Sequence, residues 1–289
     1  MLLSVYKTTL KNLSRSLIFW LMLALLIGFS LYEAFSGGHG YYSFEYKEMI
    51  WDTDPRYVLS EENYIERIDN YCAAIMLYAI PLFAIVSVVL ILTRDYGDGF
   101  YEIERAGGQS PICYLAGRQA ALLTVNLLAI LLTIFLGIHL YVFTRGGVAG
   151  MATGEYLADS FPRILRSVVC TTWPPVTMFV CFAYAVGTLF KNSWVAAITS
   201  SVYVLINYLF SYQLRSRVPE WYGQYLSPHA LKIRLYFKYY DYGDAERFEQ
   251  YLIKQETSFG LMLACVGLIL GMALIYSLVS YLRIRRREV

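Results

Sequence analysis

Six stretches of this chain are apolar, nearly free of charge and about as long as a helix must be to cross a hydrocarbon layer, which takes roughly 20 residues. They run over 17–34, 72–93, 120–143, 168–190, 194–212 and 259–282. Backbone groups inside a bilayer have no water to bond to, and an apolar run of this length satisfies them as a helix. The composition agrees. The 289 residues are 57% hydrophobic and 16% charged, which is too little polar surface to cover a soluble globule of that size. The predicted fold class is an all-α membrane protein with six transmembrane helices, forming one domain over 1–289, since no Pro/Gly/Ser linker, low-complexity tract or internal repeat divides the chain.

Ahead of the first run, Leu2, Tyr6, Leu10, Leu13 and Leu17 recur at helical spacing, while Lys7, Lys11, Ser14 and Arg15 lie off that face. This pattern predicts an interfacial helix over 1–16. Basic residues before a short apolar run also suit a signal peptide, but bulky Phe19 and Trp20 and the lack of a small-x-small site after Leu31 favour a retained span. Lysine and arginine density at the span ends puts both termini on the cytoplasmic side. Arg94, Arg105, Arg118, Lys191 and the terminal Arg283, Arg285, Arg286 and Arg287 would then lie there too. The expectation is a multi-pass protein of the cell membrane. Its long outer segments span 35–71, 144–167 and 213–257, the last holding short amphipathic helices around 229–256.

Several functions are argued against. No Asp, Glu, Lys or Arg lies in the central turns of the runs, which weighs against a proton-coupled carrier or a self-powered ion pump. There is no Gly-Lys pair, so no Walker A loop can form, and Ala106-Gly107-Gly108-Gln109 reads as a helix stop. His39, His139 and His229 are too far apart for a metalloprotease helix, and Glu61-Glu62 with Arg67 misses the spacing of the membrane-embedded proteases by one position. The five cysteines, Cys72, Cys113, Cys170, Cys181 and Cys265, show no CxxC pairing and predict neither a disulfide framework nor a metal site. No basic and aromatic platform for nucleic acid is present.

Within the spans, Ser193, Ala197 and Ser201 form one strip of small residues, and Gly260, Ala264, Gly267 and Gly271 form another, suited to close helix approach. Pro81 and Pro174-Pro175 predict bends. Asn126 and Asn207 are expected to bond between helices, with contact to a substrate in the membrane as the second role. Tyr41 and Tyr42, in a tyrosine-rich outer segment with Tyr46, Tyr57 and Tyr64, are candidates for holding an amphipathic substrate or anchoring at the interface.

The most patterned loop follows the second run. Arg94-Asp95-Tyr96 leads through Glu102, Glu104 and Arg105 to Gly107-Gly108, then Ser110-Pro111 and Gly117-Arg118, predicting a short charged helix over 95–106. Together with the lead-in helix, the near-minimal Phe190-Lys191-Asn192-Ser193 turn and the outer segment before the last run, this resembles the permease subunits of type-2 ABC exporters. The resemblance covers the whole chain and is carried by pattern more than by fixed motif. It implies that 95–106 is a cytoplasmic coupling helix, with Asp95, Tyr96, Glu102, Glu104 and Arg105 meeting a separate ABC ATPase present in two copies. It also implies a second permease copy or paralogue, membrane lipid around the assembly, and ATP and Mg held by the ATPase and not by this chain. No nucleic acid is expected. The rival readings are a membrane sensor or immunity protein that binds a peptide at its outer face and, more remotely, an intramembrane protease.

Overall fold

The structure is a computed structural model, and it describes residues 2–36, 40–43, 48–51, 79–144, 172–212 and 259–286. The described chain is helical, apart from a two-stranded antiparallel hairpin. Its elements are α1 (Leu2–Ser14), α2 (Leu17–Ser36), β1 (Gly40–Ser43), β2 (Glu48–Trp51), α3 (Ala79–Leu92), a π turn (Thr93–Gly97), α4 (Phe100–Ala106), α5 (Pro111–Thr144), α6 (Trp173–Phe190), α7 (Ser193–Tyr212) and α8 (Phe259–Arg285). The hairpin, in register Tyr41 to Ile50 and Tyr42 to Met49, was not anticipated. It falls in the first outer segment, where helical periodicity is absent and tyrosines favour extended chain. The expected outer helices of 213–257 lie outside the described residues.

Among the described residues, four helical stretches are long and apolar enough to cross a membrane: Ala79–Gly97, Pro111–Gly137, Trp173–Phe190 and Ala264–Arg285. The α1–α2 pair, bent by 72°, supplies a fifth if counted as one span. The apolar stretch Ser193–Leu209 of α7 is shorter. The bend has a local cause. α1 ends in a turn at Arg15 and Ser16, the Ser16 hydroxyl accepts the Phe19 amide as an N-cap for α2, and the Trp20 indole N–H donates to the Ser14 carbonyl at 2.8 Å.

α6 is the central element. It packs against α3, α5, α7 and α8, and its residues are buried almost from end to end. It joins two cores: one with Phe83, Val88, Leu122, Ile130 and Val180, the other with Phe179, Cys181, Val204, Cys265 and Ile269. Pro174 and Pro175 fall in the first turn of the described α6, after Thr172, and the stretch before it lies outside the described residues. Pro81 likewise sits near the first described residue of α3. α6 ends at Lys191, a left-handed residue at φ 54°, and the Asn192 side chain accepts the Trp194 and Val195 amides to begin α7.

The small-residue strips divide. Ser193, Ala197 and Ser201 of α7 are half-buried, with their neighbours Ala196 and Ser200 buried, whereas a side-chain carbon added at Gly267 or Gly271 of α8 would meet nothing within 4 Å. The close approaches lie elsewhere. At Gly187 of α6 an added carbon would run into a Leu92 methyl, and at Gly117 of α5 it would lie 2.7 Å from the Val5 side chain and 3.1 Å from the Leu2 carbonyl.

Candidate functional site

The site begins with the buried face of α3, where Ser87, Val88, Ile91 and Leu92 repeat every three or four residues. Asp95 in the π turn continues that face and is fully buried. On α5 the same periodicity puts Tyr114, Arg118 and Leu122 on one buried face. The two charges meet there. Arg118 donates from Nη2 to Asp95 Oδ1 at 2.5 Å, and the Tyr114 hydroxyl donates to Asp95 Oδ2 at 2.6 Å.

α1 covers the pair from the side. Its buried residues are Val5, Thr9 and Leu13, one turn apart, and the Thr9 hydroxyl accepts Arg118 Nη1 at 2.8 Å while donating to the Val5 carbonyl at 2.7 Å. α1 reaches this depth because Gly117 gives it no side chain to climb over. Tyr184 of α6 closes the cluster beside Tyr114, and the Arg118 guanidinium lies 5.3 Å from the Tyr114 ring centre. One ion pair thus ties α1, the end of α3 and α5 together, with Tyr184 of α6 beside it. A pair removed from water gains strength from its surroundings, but each partner becomes a liability without the other.

α4 hangs on this cluster. Gly99 at φ +71° and Gly108 at φ +77° make the sharp turns that isolate its seven residues. Tyr101, buried on α4, packs edge-on against Tyr114 at 5.4 Å and at a tilt against Tyr96 at 5.9 Å. Glu102 and Ile103 face outward, Ile103 with 64% of its surface exposed. Arg94 reaches over the Phe100 ring and lies 4.0 Å from Asp98, bracing the hinge. A force applied to α4 would therefore pass through Tyr101 and Tyr114 to the ion pair, and from there to three helices.

Two expectations need correction. Asp95 was placed on a partner-facing surface. It is fully buried and paired with the equally buried Arg118, since either charge alone would be too costly to bury. The helix expected over 95–106 is also two elements, the π turn and the shorter α4. Tyr96 is packed against Tyr101, and Glu102 is exposed. Glu104 and Arg105 lie on α4, but their side chains are outside the described set. Asn126 bonds between helices, donating to Ser87 Oγ of α3 at 3.1 Å and to the Leu122 carbonyl at 2.8 Å. Asn207 is buried and donates to the Tyr203 carbonyl of its own helix. Tyr41 and Tyr42 lie on β1, with their side chains outside the described set.

Thr9, Tyr101, Ile103, Tyr114 and Tyr184 were not singled out from sequence. The signal for Tyr114 and Arg118 was their spacing on the buried stripe of α5; Thr9 carried none, because an apolar-face analysis of α1 passes over a threonine. Among the described residues there is no cluster of His, Cys, Asp and Glu that could hold a metal ion. No protein-family model matches the chain, and no characterised protein matches it either.

Proposed function

We propose that this protein is the six-span membrane subunit of an ATP-driven exporter of the ABC type, and that α4 is the element on which a separate ATPase acts. The observation that carries this reading is the mounting of α4: a short helix, exposed at Glu102 and Ile103, is anchored through Tyr101 and Tyr114 to a buried ion pair joining three further helices. A mere tether between spans needs no such anchorage. The chain contains no phosphate-binding loop of its own, so the driving nucleotide would be bound by the partner. α4, both termini and the α6–α7 turn would face the cytoplasm, with two permeases and two ATPase chains making the complete assembly.

Glu102, exposed on α4, and Glu104 of the same helix would meet basic groups of the ATPase. Interfacial pairs of this kind matter most when desolvated and when several act together. Reversing both charges, Glu102→Lys with Glu104→Lys, is expected to lower ATPase co-purification or substrate-stimulated hydrolysis by at least tenfold, while the protein still inserts and unfolds at its usual temperature. Wild-type recovery of the ATPase together with wild-type stimulation in that variant would remove α4 from the interface.

A further inference from the structure

α1 has three sectors, not two. Val5, Thr9 and Leu13 are buried against α5; Leu3, Tyr6 and Leu10 form a partly exposed apolar sector, with Leu3 60% exposed; and Lys7 and Lys11, with Arg15 in the turn that ends the helix, are exposed on the side away from Thr9. The helix contains no acidic residue, and none of the three cations makes an ion pair among the described residues. The helix turns by 72° into the apolar α2, whose Leu17, Ile18, Trp20 and Leu21 are exposed, so that with α2 standing across a membrane α1 would lie close to its plane. Trp20, fixed to the Ser14 carbonyl at the junction of the two helices, is of the residue type that favours the headgroup zone. A basic row beside an apolar sector, held at that depth, fits anionic phospholipid headgroups.

We propose that Lys7, Lys11 and Arg15 bind anionic lipid and that this binding holds α1 in its seat over Arg118. The two roles are linked because they occupy opposite sides of one rigid helix. A headgroup that binds seated α1 better than displaced α1 stabilises the Thr9 to Arg118 contact, and loss of that contact weakens lipid binding in return. Each basic side chain near an anionic surface contributes roughly a fivefold gain in association, so the row of three contributes on the order of a hundredfold. The inference stands independently of the exporter reading, since it needs no ATPase and no substrate.

The test compares the purified full-length protein in nanodiscs of phosphatidylcholine alone and of equal phosphatidylcholine and phosphatidylglycerol, following amide exchange in α1. The wild type is expected to exchange roughly tenfold or more slowly at Val5 to Leu13 in the anionic discs. The variant with Lys7, Lys11 and Arg15 all changed to Gln should lose that difference, whereas the variant with Arg283, Arg285 and Arg286 changed to Gln should keep it. Inorganic phosphate added to the neutral discs should not reproduce it. Equal exchange of the wild type in both discs, retention of the difference in the α1 variant, or its reproduction by free phosphate would each overturn the proposal.

Discussion

Replacing Arg118 by Leu is expected to destabilise the protein by about 3–5 kcal/mol, the loss typical when one partner of a buried ion pair is removed. Asp95, with no measurable exposure, would lose the guanidinium that balances its charge, and Thr9 would lose the donor that holds α1 to α5. Thermal unfolding in detergent measures the effect. The decisive comparison is the double variant Asp95→Leu with Arg118→Leu, because a buried pair replaced by apolar groups of similar size is often near neutral. It should be more stable than Arg118→Leu alone, showing that the two charges act as one unit. If the losses from the two single variants simply add, the pair is not the tie described above.

Changing Gly117 to Val is expected to lift α1 from α5. The first added carbon already falls 2.7 Å from the Val5 side chain and 3.1 Å from the Leu2 carbonyl, and a backbone oxygen cannot turn aside as a side chain can. Overfilling a packed contact costs about 1–3 kcal/mol, and here α1 would move as a body because Val5, Thr9 and Leu13 share the seat. Amide exchange in α1 should rise correspondingly, and that in α6 should not. Gly267→Val is the control, as its surroundings are open within this chain. Similar effects at the two glycines would mean that the close crossing of α1 and α5 is not what seats α1.

The membrane class was legible in the sequence because a span is a local property: length, apolarity and the absence of charge are all written into one stretch. The break after Ala106, the restart at Ser110-Pro111 and the turn at Asn192 were equally legible, since caps depend on one or two residues. The site was only half legible. That Arg118 is buried was not legible, because its partner Asp95 lies in the turn after another helix and the groove that admits α1 depends on Gly117. The buried face of α1 was displaced from the apolar one for the same reason. Thr9 takes the inward position by bonding to Arg118, a partner 109 residues away, while Leu2 and Leu3 stay largely exposed. The hairpin of β1 and β2 went unseen because strand pairing depends on the partner strand as much as on the strand itself.

The central claim is that another protein acts on this one through α4. It is tested most directly by placing a photo-crosslinking residue at position 102, the exposed carboxylate of that helix, and irradiating intact cells. The account predicts one dominant adduct, containing a protein with a Walker A loop, and a weaker yield when nucleotide hydrolysis is blocked in a different conformation of the complex. A probe at Ile103 should give the same adduct, and one at buried Tyr101 should not. Crosslinks at position 102 to lipid alone, or to proteins without a nucleotide site, would contradict the claim.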